Sequence, residues 1–202
     1  MEKKDNNNNI LDTEEFQNFN IKFNYLLMQY PLFLNIMTLT LGIFTGEMKY
    51  FSLYGLLQIS DLLNYGFKYV SKKWLPSKIT NRPSNNGIIY KDVKLGTGIM
   101  PFLGAVDVKG EKSKGFPSGH SQTVGIFTTI MVLYIYNKTE DNKDEWYKNY
   151  KYYILVIIGG LVLWQRWYSN CHTPLQIFTG TLIGIGLGIG SWEIYNKYII
   201  NI

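Results

Sequence analysis

The sequence is poor in charge, thiols and histidine. Only 17% of its 202 residues are charged, against about 25% in a soluble domain. The one cysteine, Cys171, excludes an internal disulfide and a multi-cysteine zinc site. The two histidines, His120 and His172, could join Cys171 around zinc. Three such ligands with no carboxylate nearby are a poor match to a zinc site, and no metal or other cofactor is expected. No apolar run follows Lys3 and Lys4 closely enough for a secretory signal peptide.

Other quantities need their placement to be informative. A mass of 23.4 kDa suits one compact domain. An apolar fraction of 46% and a mean hydropathy of −0.07 do not separate soluble from membrane-bound. The net charge of +5 fits nucleic acid, anionic lipid or phosphate. The Lys-rich segment lacks the interleaved aromatics that stack on bases, so no nucleic-acid partner is expected. Aromatics are abundant, with 16 Tyr and 5 Trp.

The apolar residues are clustered. Five runs are candidate spans: Tyr30 to Gly46, Tyr50 to Val70, Gln122 to Tyr136, Tyr152 to Trp164 and Pro174 to Tyr195. The first has 17 residues and as a helix would reach about 26 Å, close to the ~30 Å hydrocarbon core. Tyr and Trp stand at many run ends (Tyr30, Tyr50, Tyr136, Tyr152, Trp167, Tyr195), as in an interfacial aromatic belt. The fourth and fifth runs lack the polar face of a soluble surface helix. The expected fold is an all-α, integral membrane helical bundle of about five transmembrane helices. Residues 1–29 read as a polar tail with a short amphipathic piece near Phe16 to Leu27, and 30–202 as the membrane-embedded domain. Gly180, Gly184 and Gly188, and also Gly186 and Gly190, recur every four residues, a spacing that lets helices approach closely in lipid. No strand precedes this run, so it does not read as a nucleotide loop. Asp61 and Asn64 read as polar groups satisfied between helices.

Three polar clusters interrupt this frame: Lys72 to Pro83, Gly115 to Gln122 and Gln165 to Gln176. With five spans, all three converge at one membrane face, and each histidine lies in one of them. Arg82 and Arg166 can each grip phosphate oxygens with a planar fork. Pro117-Ser118-Gly119 leads into a helix whose first N–H groups cradle anions, with Ser118 as N-cap. Two histidines, as nucleophile and general acid, complete a covalent mechanism.

Arg82-Pro83, Pro117-Ser118-Gly119-His120, and Arg166 followed by His172 resemble, in order and placement, the type 2 phosphatidic acid phosphatase superfamily over about residues 50 to 195. The resemblance implies a membrane lipid phosphatase. It implies that His172 attacks phosphorus, His120 protonates the leaving oxygen, and Arg82, Ser118, Gly119 and Arg166 bind phosphate. Two positions depart from the common pattern. Leu75 stands where the family has Lys, so Lys72, Lys73 or Lys78 must serve, with Lys73 favoured. Gln176 stands where most members have Asp. It can still accept the imidazole N–H without bringing charge, and Thr173-Pro174-Leu175-Gln176 also reads as a capping box. His172-Thr173-Pro174-Leu175-Gln176 and His120-Ser121-Gln122 are similar to the dolichyl diphosphate phosphatase branch. That branch implies a polyprenyl diphosphate substrate, and the endoplasmic reticulum if the chain is eukaryotic. A catalytically weak lipid-phosphate-binding member and a lipid phosphotransferase are the alternatives.

The face that carries the three polar clusters holds 14 of the 20 Lys and Arg: Lys3, Lys4, Lys22, ten between Lys68 and Lys114, and Arg166. The positive-inside rule would make that face cytoplasmic, whereas the resemblance implies a lumenal one. Asn137-Lys138-Thr139 is a glycosylation sequon on the opposite face.

Overall fold

A computed structural model describes residues 14–83, 88–90, 93–95, 114–139, 148–195 and 197. The described chain is helical apart from one small hairpin. In order it forms α1 (Glu14–Met28), α2 (Tyr30–Thr45), α3 (Met48–Trp74), the short α4 (Ser77–Thr80), β1 (Ile88–Tyr90), β2 (Val93–Leu95), α5 (Gly119–Thr139), α6 (Lys148–Tyr168) and α7 (Pro174–Tyr195). β1 and β2 are antiparallel, with Ile88 opposite Leu95 and Tyr90 opposite Val93.

The breaks have local causes. Between α1 and α2 the chain bends by 54°, because Pro31 brings no N–H to the joining turn. α2 stops at Gly46, which takes the left-handed conformation (φ 68°) and returns its N–H to the Gly42 carbonyl. α3 stops because Pro76 forces Leu75 into extended backbone (φ −108°, ψ 151°).

α5 is the central helix and packs most extensively on α7, then on α6, with α2 and α3 on its other side. Leu34, Leu53, Leu57, Ile126, Phe127 and Ile130 form the main core, and Leu27, Val124 and Val162 a second one. Gly180 and Gly184 make the α5–α7 seam possible. A Cβ on Gly180 would strike the Ser118 carbonyl, and one on Gly184 the Gln122 carbonyl. These are backbone atoms and cannot swing away. Gly186 and Gly190 face open space, so only one of the two glycine stripes is a packing surface. Gly180→Ala should therefore destabilise the protein by about 1–3 kcal/mol through overpacking, with Gly186→Ala near neutral. Thermal unfolding in detergent compares the two.

Each of the five apolar runs forms its own helix: α2, α3, α5, α6 and α7. Among the described residues one helix, Pro174–Ile194, is by itself long and apolar enough to cross a membrane, at a mean hydropathy of 1.4. The bent pair of α1 and α2 passes the same test only if taken together. α3 falls short in hydropathy, because Gln58, Asp61 and Asn64 interrupt its apolar run. The amphipathic piece expected near Phe16 is α1, which packs on α6. The Asn run and Lys3 and Lys4 lie outside the described residues.

Candidate active site

The segment before α5 is tied down at every step. Gly115 N–H donates to the Thr80 carbonyl at 2.6 Å, and Ser118 N–H to the Gln176 carbonyl at 3.1 Å. Ser71 Oγ donates to the Phe116 carbonyl at 2.9 Å. The Phe116–Pro117 peptide is cis. Ser118 Oγ accepts the Ser121 N–H (3.4 Å) and hydroxyl (2.9 Å), the N-cap expected for α5. Behind it, Asn64 Nδ2 donates to Gln122 Oε1 at 2.9 Å, and Gln122 Nε2 donates to Ser60. Asn64 is thus satisfied between helices, and this buried network fixes α5 against α3.

The second wall is the turn between α6 and α7. The Arg166 carbonyl accepts N–H bonds from both Cys171 and His172. Asn170, at φ 51°, supplies the left-handed residue this reversal needs. The five intervening residues thus fold back tightly, and Arg166 and His172 are both buried. The capping box forms in both directions: Gln176 N–H donates to Thr173 Oγ1 and Thr173 N–H to Gln176 Oε1.

Gln176 joins all three motifs. Its Oε1 lies 3.2 Å from His172 Nδ1. An amide oxygen only accepts, so Nδ1 carries the proton and Nε2 keeps its lone pair. Its Nε2 donates to the carbonyls of Ile79 and Asn81, both at 2.8 Å, and so anchors the backbone on either side of Thr80, directly before Arg82. Both amide hydrogens and both acceptor positions are used, and the side chain is wholly buried.

The structure brings together His120, His172, Gln176, Arg82, Arg166, Ser118 and Gly119. It does not bring Lys73 to them. Lys72, Lys73 and Lys78 are exposed, and Lys73 Nζ lies over the Trp74 ring, 5.8 Å from its centroid. Lys68 faces the cluster instead: a Cβ placed on Gly119 would stand 3.8 Å from Lys68 Nζ. Lys68 lies seven residues before Leu75, two turns back on the same helix face, and that spacing was the available signal. His120 makes a second contact without a sequence signature. Its Nε2 donates to the Met28 carbonyl at the end of α1, at 3.1 Å. Among the described residues no three His, Cys, Asp or Glu gather as a metal-binding group.

Burial holds the His172 imidazole well below the usual histidine range, and Arg82, then Arg166, press it further down. Below pH 6.5 the unfolded chain therefore takes up protons that the folded chain refuses. Stability should fall as pH drops from about 6.5. The measurement is the melting temperature between pH 7 and pH 5, and His172→Asn should flatten the decline.

A family model described as the PAP2 superfamily matches residues 49–200. Two curated proteins are similar at low identity. One is "Palmitoyl-protein thioesterase-dolichyl pyrophosphate phosphatase fusion 1" of Schizosaccharomyces pombe, 27% identical over 160 residues, covering 79% of this chain and 21% of that protein. The other is "Dolichyldiphosphatase 1" of Dictyostelium discoideum, 24% identical over 166 residues, covering 82% of this chain and 61% of that protein. The chain thus spans less than two thirds of either relative. No solved structure matches it.

Proposed function

The chain belongs to the PAP2 superfamily, and from that premise we propose that it is a membrane lipid phosphatase that works without a metal through a phosphohistidine on His172. The observation that carries the reading is the buried His172–Gln176 pair: it leaves Nε2 as a neutral lone pair beside Arg82 and Arg166. In this reading the two guanidinium groups, with the Ser118 and Gly119 backbone at the start of α5, hold the phosphate oxygens. His172 Nε2 attacks the terminal phosphorus and forms a P–N bond as the P–O bond to the leaving group breaks, the leaving group being the lipid phosphate of a diphosphate or the lipid alcohol of a monoester. The electron pair of that bond goes to the leaving oxygen, which takes a proton from His120, an imidazolium once the phosphate dianion is bound beside it. With His120 Nε2 held by Met28, the transferred proton is the one on Nδ1. Water then attacks the phosphohistidine and releases phosphate.

The substrate we propose is a polyprenyl diphosphate of the dolichyl type, with phosphatidate second. The names of both relatives speak for the first. We place the protein in the membrane as a multi-pass bundle of α2, α3, α5, α6 and α7, in the endoplasmic reticulum if the cell is eukaryotic. Large apolar side chains on the outside support a lipid-facing surface, among them Phe33, Phe44, Leu62, Ile157 and Phe178. The test is phosphate release from polyprenyl diphosphate and from phosphatidate by purified protein with excess chelator. Full activity with chelator is the expected result. Loss restored by a divalent ion would overturn the metal-free mechanism.

A further inference from the structure

We propose that Lys68 is the ammonium that holds the substrate phosphate in this site, in place of the lysine that the chain lacks at position 75. The inference rests on the phosphatase reading above and deepens it. Three observations carry it. First, α3 runs unbroken to Trp74, so it carries Leu75 about 10 Å along the axis beyond Lys68, to the exposed end of the helix. The chain then turns at Pro76, and α4 returns it toward the bundle, where Gln176 fastens the segment before Arg82. A lysine serving the same phosphate as Arg82 must sit back from the tip of α3, and Lys68 is on the matching face.

Second, Lys68 Nζ stands against the start of α5. A Cβ on Gly119 would lie 3.1 Å from Asn64 Oδ1 and 3.8 Å from Lys68 Nζ. Lys68 is one turn beyond Asn64, whose amide is fixed by Gln122, so the helix aims the lysine at the α5 N-terminus. Third, Lys68, Arg82 and Arg166 all raise the positive potential at His172. Lys68, Arg82 and Arg166 repel one another here, with Asp61 on α3 the carboxylate that acts on Lys68, and a bound phosphate dianion relieves that repulsion. Gly119 has a plain role here: any side chain would intrude between the lysine and the helix N-terminus.

The experiment compares Lys68→Met, Lys68→Arg and Lys73→Met, with Lys49→Met as a control far from the site. KM, kcat and inhibition by inorganic phosphate are measured on purified full-length protein. Lys68→Met should raise KM and weaken phosphate inhibition about 10- to 100-fold, as expected for a lost charge-assisted contact. Lys68→Arg should stay close to wild type. A merely structural lysine would lower the melting temperature when replaced. Here Lys68→Met should keep or raise it, because one of three repelling cations is removed. If Lys68→Met is poorly expressed, Lys68→Gln serves with the same readouts. Unchanged KM and phosphate inhibition in Lys68→Met, or a larger effect in Lys73→Met, would overturn the proposal. A fully active His172→Ala would instead sink the phosphatase reading itself, so the two failures are distinguishable.

Discussion

His172→Asn should lower phosphate release by about a thousandfold or more, the scale on which covalent catalysis fails when its nucleophile is removed. Asparagine is the informative choice because its amide can still donate to Gln176 Oε1, at the place of the imidazole Nδ1–H. Packing around the turn then survives, and the melting temperature near neutral pH should move by only a few degrees. Substrate binding should persist, because Arg82, Arg166 and the start of α5 are untouched. The result is a fall in kcat with KM little changed. Wild-type protein quenched during turnover should carry phosphate on His172 as an acid-labile P–N adduct, and the variant should carry none. A variant that turns over substrate normally would place the chemistry elsewhere.

Gln176→Asp and Gln176→Glu should also inactivate, by about a hundredfold or more, and should lower the melting temperature. This runs against the simple expectation that a carboxylate improves a histidine nucleophile. Gln176 Nε2 donates to the carbonyls of Ile79 and Asn81 at 2.8 Å each. A carboxylate oxygen in that place would face two carbonyl oxygens and donate nothing. Two buried acceptors lose their partner, each at about 1–3 kcal/mol, and the segment before Arg82 is released. Glutamate keeps the length of glutamine and isolates this effect. Asparagine, one methylene shorter, cannot reach the His172 ring and both carbonyls together. A large gain in rate for the aspartate variant would instead mark a degenerate site, and the weakly catalytic reading of the chain would stand.

The parts legible in the sequence are those in which chemistry is local. Pro117 to His120 needs only a tight approach and a helix start, and Thr173 to Gln176 needs only one helical turn. The apolar runs mark the helices well, but hydropathy averages along a segment. α3 reads as a span although its polar residues keep its hydropathy below that of α7. Lys68 was legible only as a seven-residue spacing from Leu75, and that spacing counts only if α3 continues past Lys68, which is decided by Pro76 several residues later. The contact of His120 with Met28 was not legible either, since a backbone carbonyl can belong to any residue. The amide hydrogens of Gln176 are the clearest case. The residue is visible as a departure from Asp, but its two partners lie 95 and 97 residues upstream, and only the fold brings them within reach.

The two amide bonds of Gln176 also set an order of assembly. The imidazole can be oriented by its own helix as soon as α7 forms, because Thr173 and Gln176 are close in sequence. The segment entering Arg82 is held only once that preformed helix end meets it. Partial denaturation should therefore cost activity before it costs helix. The enzyme should go silent through the undocking of a short loop while its bundle stays whole.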